Sequence, residues 1–351
     1  MNQSMQDLSS YVNFSNHYGI SEYNGDAWDY LSMSKDNLDR DNSLPIFEML
    51  VGLPGSGKST YAGMYTSFEK VVVSSDAIRG ELFGDENCQK NPSRVFEEMK
   101  KRTRAALKEG RNVIYDATNL NSKKRTGMLK NLEGIPCIKV VTVFVVPFEV
   151  CVMRAQQRER KVPRSVILEM MKRFEFPWWF EGWDKITMER THHVGDTNYE
   201  FDLFDLLEEQ RKIPHDSPYH PESIGEHGWN VGESEYLNNE FERACGFAHD
   251  IGKPYCKVFY DMKGKPTRYA HFYGHENVSA YLSMLESETS FSFYRNVNKM
   301  RYERAVVIQN HMKRYSYKEP AQVERFYERL GYLGKVLRDL NEADKACVTK
   351  L

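Results

Sequence analysis

The chain has 351 residues, a formal net charge of −2, 28% charged residues and a mean hydropathy of −0.64. That length allows two domains of ordinary size, each with its own core. No apolar run approaches the ~20 residues of a bilayer span, and the near-neutral balance argues against a general nucleic-acid coat.

Residues 1–45, rich in Asn, Asp, Ser and Tyr, read as an N-terminal extension of unknown role. Their start has neither a basic region nor an apolar core, so no secretory signal is expected and a cytoplasmic address follows. Six dispersed cysteines without a Cys-x-x-Cys pair fit reduced thiols better than disulfides or zinc ligands. The apolar run 46–51 predicts a buried strand. It leads directly into Gly52-Leu53-Pro54-Gly55-Ser56-Gly57-Lys58-Ser59-Thr60, a complete P-loop. The glycines let backbone N–H groups converge on phosphate oxygens, Lys58 reaches the β- and γ-phosphates, and Ser59 can hold Mg²⁺ where a helix begins. The stretch therefore predicts binding of ATP or another nucleoside triphosphate with Mg²⁺.

Short apolar runs at 71–73, 113–115 and 140–146 alternate with helical ones, predicting an α/β unit with a parallel sheet flanked by helices over 46–195. Strand ends in such a sheet open on the binding crevice. Asp76 is placed there to take the proton of an attacking hydroxyl, and Arg79, one turn later, to grip an anionic part of the acceptor. Asp116 ends the run at 113–115, where a carboxylate would steer Mg²⁺. Arg154 and Arg158, four apart on one helix face, suit a lid that neutralises transferring phosphate charge. Trp178, Trp179 and Trp183 read as a packing cluster between domains rather than a platform for bases.

From about residue 196 helical spacing dominates, at 201–207, 236–250, 278–285, 301–312, 323–330 and 333–345, which predicts an all-α second domain over 196–351. His249 and Asp250 end one of these runs, and adjacent His and Asp can bind one metal. His227, His275, His311 and Asp344 are further candidate ligands at wide intervals. Imidazoles with a carboxylate can hold a transition metal and leave positions for water and a phosphate oxygen. Lys253 reads equally as a contact to substrate phosphate and as a helix-ending lysine. His220 and His271 read as structural or exposed.

Over residues 46–176 the sequence resembles the P-loop kinases of the 5′-hydroxyl polynucleotide kinase type found in phage and bacterial RNA end-healing enzymes. The residues that carry this are the P-loop at 52–60, Asp76-x-x-Arg79, Thr118-Asn119-Leu120-Asn121, Val146-Pro147, and Arg154 with Arg158 before Val162-Pro163. Ala117 stands where the phage-type enzymes carry an acid before Thr-Asn, and Asp116 precedes it. The resemblance implies that Asp76 is the general base on a 5′-hydroxyl, that Arg79 holds the adjacent 3′-phosphate, and that Arg154 and Arg158 clasp the donor phosphates. Over 200–351 the order His227, His249-Asp250-Ile251-Gly252-Lys253-Pro254, His275, His311, Asp344 resembles the HD phosphohydrolase superfamily. That implies a first divalent transition metal (Mn²⁺, Co²⁺, Ni²⁺ or Fe²⁺) on His227, His249, Asp250 and Asp344, with His275 and His311 completing a second. Together the two resemblances imply an enzyme that phosphorylates 5′-OH ends and removes 2′,3′-cyclic or 3′-phosphates from RNA or DNA ends, ahead of a separate RNA ligase and away from membranes. The same residues also suit a bifunctional kinase and phosphohydrolase of nucleotide metabolism, or a nucleotide-gated signalling or binding protein.

Overall fold

The computed structural model describes residues 44–64, 70–86, 88, 90–158, 161–190, 193–194, 197–198, 201–287 and 297–348. All but the last two residues of the expected extension, and the expected boundary at 195/196, lie outside the described residues. Within them, the apolar runs of the first half pair as β1 (Ile46–Gly52), β2 (Lys70–Ser74), β3 (Asn112–Asp116), β4 (Ile138–Val145) and β5 (Lys185–Arg190). The sheet is parallel throughout, in the order β2-β3-β1-β4-β5. Parallel neighbours need crossovers, which put helices on both faces and bury the central strand. β1 is accordingly buried along nearly its whole length. Around the sheet lie α1 (Lys58–Met64), α2 (Ser75–Phe83), α3 (Pro92–Lys108), α4 (Ser122–Asn131), α5 (Phe148–Gln156) and α6 (Arg164–Met171). The register sets Asp116 level with Leu50 on one side and Ser74 on the other. The P-loop, Asp76 and Asp116 therefore share one edge of the sheet.

The second half contributes α7 (Leu203–Gln210), α8 (Ile224–Gly232), α9 (Glu240–Ala248), the single turn α10 (Lys253–Cys256), α11 (His275–Ser283), α12 (Val297–Asn310), α13 (Pro320–Arg329) and α14 (Tyr332–Cys347). The expectation that it is all helical is corrected by two antiparallel pairs, the first of which straddles the expected boundary. One is short, β6 (His193–Val194) with β7 (Thr197–Asn198); the other joins β8 (Lys257–Tyr260) to β9 (Pro266–Phe272). In the larger one the Asp261 carboxylate accepts from the N–H groups of Lys263 (2.8 Å) and Lys265 (2.9 Å), and Gly264 takes a left-handed conformation. Side-chain capping of this kind fixes a tight turn without an apolar alternation to announce it.

The halves are joined by hydrogen bonds from helical side chains to the backbone of the α/β half. The Tyr281 hydroxyl donates to Val146 O (2.7 Å) and accepts from Val146 N (3.1 Å). Gln309 accepts from Phe176 N (3.0 Å) through its carbonyl and donates to Phe174 O (2.7 Å) through its amide. Asn277 donates to Lys172 O at 2.8 Å, and Tyr302 to Pro177 O at 2.5 Å. Phe174 lies 5.0 Å from both Phe176 and Tyr281, ring to ring, in one continuous apolar core. Trp178 packs against Phe180 and Phe326, whereas Trp183 stacks on Phe47 under the sheet. Beside this seam Arg125, fully buried, pairs with Glu181 and donates to the carbonyls of Asn119, Glu175 and Phe176.

Gln309→Ala would leave Phe176 N and Phe174 O buried without their partners, at about 1–3 kcal/mol for each group. Denaturant unfolding monitored by tryptophan fluorescence should show a lower midpoint in this variant than in Gln322→Ala, which alters an exposed cap on α13.

Candidate active sites

At the sheet edge the P-loop is preformed. Gly55 and Gly57 hold φ of +82° and +96°, and a Cβ at Gly55 would meet the carbonyl oxygen of Cys151 at 2.3 Å, so only glycine fits where the loop backs onto α5. Lys58 is buried and folds over its own loop, donating to Gly52 O and Leu53 O at 2.8 Å each and to Ser56 Oγ at 3.3 Å. Burial pulls its pKa down to about 8 despite the pull of Asp116 in the other direction. Asp116, at the buried end of β3, is hydrogen-bonded to the Ser59 side chain, and burial raises its pKa while Lys58 opposes the rise. Ser59 and Asp116 thus sit together where a Mg²⁺ ion beside the phosphates would need them. Pro54 and Thr60 keep their places in the loop and the first turn of α1.

Asp76 lies in the first turn of α2, whose N-cap is Ser74. Its half-exposed carboxylate is paired with Arg79 and lies near enough to interact with Lys58 and Asp116. Arg79 is thereby tied to Asp76, a pairing that the spacing alone left open. The lid pair needs a correction. α5 ends at Gln156, so Arg154 is on the helix while Arg158 lies beyond its C-cap, Gln157, and the two do not share a helix face. Arg158 is exposed, and its charge is felt at both Lys58 and Asp116. Asn119 holds a positive φ and spans from the loop to β1, donating to Leu50 O at 2.7 Å.

In the helical half, six side chains from five elements converge. His227 comes from α8, His249 and Asp250 from the end of α9, His275 from the start of α11, His311 from the residue after α12, and Asp344 from α14. The turn after Asp250 can approach α11 because a Cβ at Gly252 would meet Ser279 N at 2.5 Å. His227 Nε2 is 3.1 Å from Asp344 Oδ1 and 3.6 Å from Asp250 Oδ2, while His249 Nε2 is 3.2 Å from Asp250 Oδ2. On the other side, Asp250 Oδ1 is 3.1 Å from His275 Nε2 and 3.8 Å from His311 Nε2, and those two nitrogens are 3.2 Å apart. Asp250 therefore faces both groups, where the sequence pattern assigned it to the first alone.

The Nδ1 atoms explain the arrangement. His249 Nδ1 meets Gly246 O at 2.7 Å, His275 Nδ1 meets Phe272 O at 2.8 Å, His311 Nδ1 meets Ile308 O at 2.6 Å, and His227 Nδ1 meets Glu222 Oε1 at 3.0 Å. A carbonyl or carboxylate there holds the Nδ1 proton and turns Nε2 inward, the orientation in which imidazole ligates metals; on His227 Nε2 keeps a proton of its own, shared with Asp344, until an ion displaces it. Lone pairs and carboxylate oxygens then crowd one another in a buried space, and His249 Nε2 and Asp250 Oδ1 have no well-directed hydrogen bond. Such a set of donors fits one or two divalent ions, of the kind that prefer imidazole nitrogen beside oxygen. Burial, then the neighbouring His275 and His249, pull His311 down to about 3, so it stays neutral. Burial works against a charge on His227 too, but its bonds to Asp344 and Glu222 prevail and hold its pKa at about 9.

Two residues next to this cluster, His215 and Glu222, escaped the sequence reading, and His220, read there as structural or exposed, joins them. His215 is buried, with Nδ1 3.1 Å from Glu222 O and Nε2 3.0 Å from the ammonium of Lys253. His220 stacks on His215 with centroids 4.5 Å apart and faces Glu222 Oε1 at 3.2 Å, the same oxygen that meets His227. Both nitrogens of His215 are engaged and an ammonium lies beside it, so this trio supports the centre rather than holding a cation of its own. Lys253 reaches Asp250 Oδ2 at 2.5 Å and points into the site. His271, by contrast, lies on β9.

Residues 48–177 match a family model described as an AAA domain. Over 190 residues the chain is 24% identical to the L-seryl-tRNA(Sec) kinase of Methanococcus maripaludis, covering 48% of this chain and 71% of that one. Among solved structures it is similar to a chain of the Pnkp1/Rnl/Hen1 RNA repair complex, with 29% identity, 39% of this chain and 46% of the other covered, and a TM-score of 0.35. The matched segment thus spans less than half of that chain's length. A gluconokinase from Sinorhizobium meliloti 1021 is 17% identical over 43% of this chain and 85% of its own, with a TM-score of 0.29. The first half is a kinase-like P-loop domain. No helix among the described residues is long and apolar enough to cross a membrane.

In chelator-treated protein, the raised pKa of His227 contributes stability that is present in full below 6.5 and lost as the pH rises through about 9. Mn²⁺ or Ni²⁺ would take the proton's place, so either ion should raise the thermal unfolding midpoint, and by more as pH increases, because the ligands must be deprotonated. Calorimetry with and without each ion checks this; a midpoint indifferent to both would count against the site.

Proposed function

We propose that the chain heals nucleic-acid ends, RNA above all, by two chemistries: ATP-dependent phosphorylation of a 5′-hydroxyl and removal of a 2′,3′-cyclic phosphate or 3′-phosphate. The observation that carries this reading is the Asp250 carboxylate set between two groups of ligand-oriented imidazoles in the same chain as a complete P-loop domain. A relative named for a kinase acting on seryl-tRNA is in keeping with an acceptor carried on RNA.

In the kinase half, Lys58 would exchange the carbonyls of Gly52 and Leu53 for the β- and γ-phosphate oxygens. Ser59 and Asp116 would hold the Mg²⁺ ion. The 5′-hydroxyl oxygen attacks the γ-phosphorus while Asp76 takes its proton and ADP leaves. Arg79 steadies Asp76 and reaches the neighbouring acceptor phosphate, and Arg154 with Arg158 neutralises charge on the donor.

In the helical half, His227, His249, Asp250, His275, His311 and Asp344 would hold one or two divalent transition ions. Bound there, such ions lower the pKa of water and draw charge off a phosphate. Lys253, already on Asp250, is placed to hold a phosphate oxygen. Water adds to phosphorus and gives up a proton while a sugar oxygen leaves and takes one up: one such step frees a 3′-phosphate, and a 2′,3′-cyclic phosphate takes two, the first opening the ring, so that the product end carries hydroxyls. A 5′-phosphate facing a 3′-hydroxyl is what a separate ligase consumes.

Lys58→Ala should abolish transfer of labelled γ-phosphate to a 5′-OH oligonucleotide and leave phosphate release from 3′ ends near wild type. Asp250→Ala should do the reverse, and each loss should exceed about a hundredfold, the scale expected when a principal electrostatic group is removed. Transfer confined to free nucleosides would sink the end-healing reading while leaving a kinase.

A further inference from the structure

The hairpin β8–β9 has one face turned toward the candidate metal centre and one turned away. On the inner face Ala270 is buried, and Phe272 lies 5.9 Å from the His215 ring and 5.3 Å from the Lys253 ammonium. Successive strand residues point to opposite sides, so Tyr269 and His271, with Tyr273 just beyond the strand, occupy the outer face. The His271 and Tyr273 rings lie parallel, 5.3 Å apart with 6° between their planes, and Tyr269 and Tyr273 are 42% and 37% exposed. Two exposed tyrosines flanking a half-buried histidine thus present flat ring surface to the outside. This row is about 13 Å long and ends two residues before His275, a candidate ligand.

Charge points to the occupant. Between residues 257 and 273 there are four basic residues against one acid, in a chain whose net charge is −2. Lys257 is spoken for by Asp216 at 2.6 Å, and Asp261 by its own turn. Lys263, Lys265 and Arg268 are left exposed along the hairpin. Arg268 lies over the Tyr269 ring at 5.4 Å and, with His215, Ser217, His220 and Tyr269, lines a pocket of about 360 Å³. That pocket reaches Lys253 through His215. Flat rings at strand spacing beside scattered cations, open at one end to a phosphate-handling site, match the two halves of a single strand: bases that stack and phosphates that carry charge.

We propose that this face of β9 seats a single-stranded polynucleotide, its bases on Tyr269, His271 and Tyr273 and its phosphates near Lys263 and Lys265 at the hairpin tip and near Arg268, which reaches round the strand edge to the Tyr269 ring, with its 3′ end directed into the candidate phosphohydrolase centre. The direction of the strand rests on the end-healing reading; the seat itself does not.

The probe is an RNA of about ten nucleotides ending in a 3′-phosphate, with a dye on its 5′ end to keep it out of the kinase site. Fluorescence anisotropy in chelator compares the full-length protein with Tyr269→Ala/His271→Ala/Tyr273→Ala and with Tyr269→Phe/Tyr273→Phe. The alanine variant should bind about tenfold more weakly or worse, and the phenylalanine variant should stay near wild type because the ring is what stacks. With Mn²⁺ added, the alanine variant should raise KM for the oligonucleotide at little change in kcat and leave kcat/KM for a 2′,3′-cyclic mononucleotide unaltered. An unchanged thermal shift with ATP shows that the variants are folded; should the triple variant fail it, Tyr269→Ala alone carries the comparison. A wild type that does not bind the RNA, an alanine variant that binds it equally, or an equal loss on the mononucleotide overturns the proposal. Binding lost in the alanine variant, with no hydrolysis of any ester by the wild type, keeps the seat and overturns end healing.

Discussion

The placement of the two candidate sites relative to each other rests on a small set of buried hydrogen bonds between helical side chains and the backbone of the α/β half. Gln309 pairs with the N–H and C=O of a chain segment much as a neighbouring strand would, and Tyr281 does the same at Val146 with one hydroxyl. Buried backbone groups demand partners, and a mismatch costs the desolvation of each orphan. The two candidate sites thereby acquire fixed relative positions. Tyr281 lies on the helix that begins with His275, so a rigid element of about 9 Å separates a candidate metal ligand from the wall behind the P-loop. Gln309 similarly stands two residues before His311.

The two sites handle buried charge in opposite ways. Lys58 is a cation that waits on its own carbonyls, with a pKa already lowered to about 8, and can transfer to a ligand's phosphate without moving its backbone. The His/Asp cluster instead turns imidazole Nε2 atoms and carboxylate oxygens on one another, with Lys253 on Asp250 and a proton between His227 and Asp344 offsetting part of the charge. Its Nδ1 atoms are fixed by backbone carbonyls and by Glu222, so the ring tautomers are set before any ion arrives. Preorganisation of this sort moves cost from binding into folding, and the surrounding helices supply it.

The parallel sheet and the P-loop were legible because their signals are local: contiguous β-branched runs, and nine residues whose glycines do one job. The six candidate ligands were legible only as a sequence order, and the structure brings them together from five separate elements. What could not be read has physical reasons. The division of Asp250 between two ligand groups depends on carboxylate orientation, which residue spacing does not encode. Arg158 was read as helical from its four-residue offset, but that offset is satisfied even though the helix stops at Gln156. β5 was missed because an edge strand that alternates polar and apolar residues, Lys185 to Glu189, lacks the contiguous apolar run that marked its neighbours. The hairpin β8–β9 was hidden by its exposed aromatics, and His215, His220 and Glu222 sit in a proline-rich turn where histidines ordinarily face water.

The continuous core has a consequence for how this protein could have arisen and how it can be divided. A fused pair of domains on a linker can be cut, shuffled or lost one at a time. Here the carbonyls of Phe174 and Pro177 and both polar groups of Val146 are satisfied by residues more than a hundred positions away. Severing the halves would leave each with bare peptide groups and an apolar scar at the seam. The two candidate sites are therefore parts of one folded unit, and a cut at the seam should destabilise both.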